Sequence, residues 1–137
     1  MTVARIDPEF MPKDTRLLPT EGEEQATLLS WAETQSGRLP ELRLLFHIPN
    51  GGGRSKREAG RFKAEGVKAG VPDLCLPVPR GGSHGLYIEL KRLKGGKVSK
   101  EQAAWLDALR EQGYAASVCR GWQEAAAVIE AYLGSEK

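Results

Sequence analysis

Apolar residues recur at helical spacing in three stretches of the chain and form short continuous runs in four others. Leu28, Leu29 and Ala32 give a core face to a helix predicted from Thr20 to about Gln35. Its start is marked by Thr20 with Glu23 three residues on, a capping-box pattern, and Ser36 to Pro40 ends it. A second capping-box pattern, Ser99 with Gln102, opens a helix with Ala103, Leu106 and Leu109 on its inner face, ending near Gly113. The third helix is predicted from Trp122 to Leu133 and is closed by Gly134. The continuous apolar runs predict strands at Arg43–Ile48, Leu74–Val78, Leu86–Arg92 and Tyr114–Cys119. The middle two are close enough in sequence to pair as a hairpin across the turn-rich segment 79–85. Residues 54–68 fit either a short helix or an ordered loop. The order helix, three strands, helix, strand, helix predicts a small α/β domain with a mixed four-stranded sheet and helices on its faces.

At 137 residues the chain is expected to hold one domain. Asp7-Pro8-Glu9-Phe10 is what adjoining cloning sites can encode, and Met11 follows at once. Residues 1–10 are therefore expected to be a vector-derived or disordered extension, leaving residues 11–137 as the domain. No apolar run reaches the roughly 20 residues of a membrane-spanning helix, and the first residues lack the apolar centre of a secretory signal. A cytoplasmic location, in a bacterial or phage-infected cell, is the expectation.

Net charge is only +2, but it is unevenly spread. Residues 50–68 carry Arg54, Lys56, Arg57, Arg61, Lys63 and Lys68 against Glu58 and Glu65, a net +4. Residues 91–100 carry Lys91, Arg92, Lys94, Lys97 and Lys100 with no acid, a net +5. The remainder is therefore net −7. A localised basic surface on an otherwise acidic protein suits a polyanionic partner. Asn50, Arg54, Lys56, Arg57, Arg61, Arg92, Lys94 and Lys97 are the candidate contacts to such a partner, which is DNA if the resemblance given below holds. The glycines at 51–53 would let backbone approach DNA closely. They do not make a nucleotide-phosphate loop, because the Lys-Ser/Thr pair of a P-loop does not follow at the required spacing. No nucleotide cofactor is expected.

Candidate chemistry centres on Pro72-Asp73-Leu74 and Ile88-Glu89-Leu90-Lys91. Alternate side chains of a strand share a face, so Glu89 and Lys91 project together. If the two strands pair, Asp73 converges with Glu89. Two such carboxylates form a hard-oxygen site suited to Mg²⁺ or Mn²⁺, and a nearby ammonium can orient a water and offset charge on phosphorus. Glu-x-Lys alone is common on exposed strands. It is the conjunction of Pro-Asp, hairpin, Glu-x-Lys and a wholly basic loop that carries information. Cys75 and Cys119 lie far apart in apolar runs with no ligand-spaced partner, so a zinc site is not expected. His47 and His84 are isolated, and no Ser/His/Asp or Cys/His constellation occurs. Trp31, Trp105 and Trp122 fall on predicted helices and read as packing residues.

With these motifs in order, the chain resembles the VRR-NUC (virus-type replication-repair nuclease) domains of the PD-(D/E)xK nuclease superfamily. The resemblance runs over residues 20–133: Glu21 to Gln25, Pro49 to Gly52, Gly66 to Leu74, Ile88 to Lys91, Ser99 to Gln102, Gly113-Tyr114 and Ala125 to Leu133. It implies a restriction-endonuclease-like core. It implies Asp73 and Glu89 as metal ligands with the Leu90 carbonyl as a third, Lys91 as the catalytic lysine and Mg²⁺ or Mn²⁺ as cofactor. A first-helix glutamate often approaches the metal in such nucleases. Glu21 shares the inward face with Gln25, Leu28 and Leu29 and is preferred over Glu24, while Glu23 has the capping role. Gln102 is either a site residue or the capping partner of Ser99. Stand-alone domains of this kind resemble Holliday-junction resolvases, which act as dimers. The implied activity is therefore a metal-dependent endonuclease on branched DNA, working as a homodimer. The alternatives are a flap- or duplex-cleaving nuclease of the same fold and a non-catalytic DNA-binding module.

Overall fold

The computed structural model describes residues 17–49, 60–61 and 63–137. The elements are α1 (Glu21–Gln35), a 3₁₀ helix (Pro40–Leu44), β1 (Phe46–His47), β2 (Leu74–Leu76), β3 (Leu86–Lys91), α2 (Lys100–Glu111), β4 (Ala115–Arg120) and α3 (Trp122–Leu133). The strands form one sheet in the order β1-β2-β3-β4. β1/β2 and β2/β3 are antiparallel and β3/β4 is parallel. The predicted α/β class, with a mixed four-stranded sheet, is what the chain adopts.

The parallel pair requires a crossover, and α2 supplies it. Leu86, Ile88 and Leu90 alternate along β3 and bury their side chains with Leu74 and Leu76 of β2. Leu28 and Ala32 of α1 and Ala125, Ala126 and Ile129 of α3 complete that core. The opposite face of β3 carries Tyr87, Glu89 and Lys91. α2 packs against β4. Both predicted capping boxes form, at Thr20/Glu23 and at Ser99/Gln102. α2 ends in a Schellman turn: Gly113 N–H donates to Arg110 O and Tyr114 N–H to Leu109 O, with Gly113 at φ +89°.

One predicted strand is corrected. Arg43–Ile48 was expected to be extended, but only Phe46–His47 pairs. Pro40 opens a 3₁₀ helix through Leu44, and the Leu42 side chain packs into the core. Proline fixes a helical φ at a first turn, and this overrides the strand-like apolar run. Of residues 54–68, those described show helical backbone at 60–61 and 63–64, with Glu65 N–H donating to Arg61 O.

Candidate active site

β2 and β3 pair with Leu74 opposite Ile88, so the residue before β2, Asp73, is brought to Glu89. Three contacts fix Asp73. Its Oδ2 accepts from the Leu90 amide at 2.7 Å. Its carbonyl accepts from the Ile48 amide at 2.7 Å and lies 3.0 Å from His47 Nδ1, which must then be the protonated ring nitrogen. His47 thus buttresses Asp73.

Glu89 is 1% exposed, and neither of its oxygens has a hydrogen-bond partner of normal geometry among the described residues. Burial, then sharing of a proton and charge with Asp73, pushes its carboxyl up to about 9; Lys91 pulls against this and Glu21 adds to it. Buried polar groups are ordinarily paired, and an unpaired carboxylate is costly. Asp73 and Glu89 together therefore present hard oxygens that a divalent cation would satisfy. Among the described residues no group of three or more His, Cys, Asp or Glu side chains forms a metal-binding cluster. Mg²⁺ commonly needs only one or two carboxylates, so the pair still fits such an ion.

Lys91 is 5% exposed on the same face of β3 as Glu89. Its Nζ donates to Gln102 Oε1 at 3.0 Å. The same oxygen accepts from the Ser99 amide at 2.9 Å, closing the capping box. One Gln102 side chain thus caps α2 and contacts the lysine.

The two first-helix glutamates part company. Glu21 lies at the site's edge. A Cβ placed on Gly96 would sit 3.2 Å from Glu21 Oε1 and 3.9 Å from Lys91 Cδ, and Glu21 acts on Glu89 through charge. Glu24 points elsewhere. Its Oε1 accepts from the Trp122 amide at 3.4 Å, at the start of α3. Gly121 has no side chain with which to cap that helix, so α1 supplies the carboxylate.

The basic residues are also divided. Lys94 and Lys97 are exposed on the loop between β3 and α2. Arg92 is half-buried and donates to the Leu18 carbonyl at 3.2 Å. Arg92 lies just past the end of β3, and this bond draws its guanidinium toward the segment before α1. Arg61 is exposed. Asn50, Arg54, Lys56 and Arg57 lie outside the described residues, as do residues 1–10. One residue near the site had no sequence signal. Arg120 ends β4 in register with Lys91, and its guanidinium donates to the carbonyls of Arg92, Gly95 and Gly96.

A mixed sheet flanked by helices, with two carboxylates and a lysine gathered where β2 and β3 meet, defines a nuclease-like α/β domain. The VRR-NUC domain profile matches residues 19–123, so the chain belongs to the VRR-NUC domain family, a family of nucleases. A solved structure titled "VRR_NUC domain protein" is 34% identical, with a TM-score of 0.75 over 87% of this chain and 92% of that one. No curated protein matches the chain.

Proposed function

We propose that this domain is a metal-dependent endonuclease that hydrolyses phosphodiester bonds in branched DNA, with four-way junctions as its preferred substrate. The observation that carries the reading is the buried carboxyl of Glu89, pressed against a second acid, Asp73, and on the same sheet face as Lys91. Asp73, Glu89 and the Leu90 carbonyl would hold Mg²⁺ or Mn²⁺, with Glu21 at the edge of the site. When bound, the cation supplies Lewis-acid charge for the scissile phosphate.

The chain's own groups do the rest. The Leu90 amide fixes the Asp73 carboxylate, so its second oxygen is oriented before substrate arrives. Gln102 holds Lys91 Nζ by its single acceptor, leaving ammonium protons to orient an attacking water and to offset charge growing on phosphorus. In-line attack would leave 5′-phosphate and 3′-hydroxyl ends. Exposed Lys94, Lys97 and Arg61 meet flanking phosphates, which makes binding strongly salt-dependent.

A four-way junction has two strands to cut symmetrically, and a two-fold homodimer with two sites matches it. Sedimentation showing only monomer at micromolar concentration would overturn the dimer. The test of the activity is cleavage of a four-way junction, a 5′ flap and linear duplex, each with Mg²⁺, with Mn²⁺ and with EDTA. The reading expects junction cleavage with either metal and none with EDTA. Preferential flap or duplex cutting would replace the substrate, and binding without metal-dependent cutting would leave a DNA-binding module.

A further inference from the structure

Arg120 is half-buried at the end of β4, and among the described residues no carboxylate forms an ion pair with it. Its guanidinium is spent on backbone. Nη1 donates to Arg92 O at 3.2 Å and to Gly95 O at 2.8 Å, and Nη2 to Gly96 O at 3.0 Å. Three carbonyls of one short loop therefore turn inward onto a single planar cation. Only arginine carries donors enough, in a fixed fork, to bind all three.

The loop sequence is suited to this. Gly95 and Gly96 have φ of +76° and +62°, conformations that a side chain would strain. Gly96 is wedged between Glu21 and Lys91, so the fold of the loop is tied to the site. Lys94 and Lys97 flank the glycines and are exposed. No described carboxylate pairs with either lysine, which leaves both cations for an anion from outside.

We propose that Arg120 is a positioning residue for phosphate binding: by gathering the carbonyls of Arg92, Gly95 and Gly96 it sets Lys94 and Lys97 against the DNA backbone beside the Asp73–Glu89 pair. The proposal rests on the nuclease reading above but goes beyond it. Arg120 acts through the loop, so its side chain need not touch DNA. Geometry and charge then make different predictions. A lysine at position 120 keeps the charge but cannot hold three carbonyls.

The test is junction-DNA affinity in EDTA across a salt series, together with amide exchange of residues 93–98. Arg120→Lys should bind roughly ten-fold more weakly than wild type, with the salt slope reduced by about two phosphate contacts. Amides 93–98 should exchange faster in Arg120→Lys without DNA. Adding Arg120→Lys to Lys94→Ala/Lys97→Ala should cost little more, because the two cations it would displace are already gone. Wild-type affinity in Arg120→Lys, additive losses in the combined variant, or unchanged exchange of the loop would each overturn the proposal. Melting curves identify a variant that fails to fold, and in that event Arg120→Gln, which also removes the charge, is read by amide exchange of residues 93–98, expected to quicken and overturning the proposal if unchanged. If wild type itself bound no DNA, the nuclease reading would fall and this proposal with it. Wild-type binding with indifferent Arg120 variants would sink this proposal alone.

Discussion

Glu24 and Glu89 are almost equally buried, at 2% and 1% exposure, and both carboxyls are raised above the ordinary range, chiefly by burial. Their surroundings differ. Glu24 reaches the first amide of α3, and that amide pulls its carboxyl back down. Glu89 meets another carboxylate instead of a donor, and it rises to about 9. One residue spends its burial on holding two helices together. The other keeps a charge-demanding site open at the fold's expense. Burial alone does not separate the two carboxyls; what sets Glu89 apart, and what the proposed site rests on, is burial beside a second acid and a lysine.

The largest expected effect breaks this contrast at the site. Asp73→Ala or Glu89→Gln should lower metal-dependent cleavage by ~10²–10³-fold or more, read as single-turnover rate. Glu89→Gln should also raise the melting temperature of the metal-free protein near pH 7, a gain of roughly 1–3 kcal/mol from removing an acid that folding forces to stay protonated. Junction binding should change little in Asp73→Ala. Equal cleavage by Asp73→Ala and wild type would remove Asp73 from the site. Lys91→Ala should cost ~10²-fold in rate. Gln102→Ala should cost less, about ten-fold, while lowering stability by about 1 kcal/mol through the lost cap. A Gln102→Ala variant with full rate but lower melting temperature would reduce Gln102 to its capping role.

The acids, the lysine and both capping boxes could be read from local patterns, because each rests on spacings of two or three residues. The Asp73–Glu89 meeting followed from pairing two neighbouring strands. What was not legible depends on contacts distant in sequence. Glu24 and Trp122 are 98 positions apart, so nothing near Glu24 announced that it caps α3. Arg120 gained its role only when parallel pairing set it beside Lys91. Arg92 reads as one more cation in a basic run, but its guanidinium reaches the Leu18 carbonyl 74 positions away. The apolar run 43–48 failed as a strand for a local reason, Pro40 at the start of a helical turn.

Smaller effects sharpen the other side of the contrast. Glu24→Ala should destabilise by about 1–3 kcal/mol, because it orphans the Trp122 amide and leaves a void. Cleavage at temperatures where the variant is folded should stay close to wild type. A loss of cleavage like that of Glu89→Gln would put Glu24 back among the site residues. Glu24→Gln keeps an acceptor and should cost under about 1 kcal/mol.

The pH dependence separates the two glutamates further. Unfolded Glu89 ionises from its ordinary value of 4.5, whereas in the metal-free fold it holds its proton to about 9. The folded state thus binds more protons between these values, so its contribution lowers stability as pH rises through that window. Below 4.5 the contribution is flat, and above 9 the penalty is complete. Glu89→Gln should flatten this slope in denaturant titrations from pH 5 to 9, whereas Glu24→Gln should leave most of it.

The central claim is that Glu89 exchanges its proton, released to solvent, for a divalent cation held with Asp73. Calorimetric titration of Mn²⁺, repeated in buffers of different ionisation enthalpy, reads both events at once. The account predicts binding that tightens from pH 6 toward pH 9, with proton release, and loss of both in Glu89→Gln. Binding of equal strength and proton release in wild type and Glu89→Gln, or no binding by wild type at all, would contradict it.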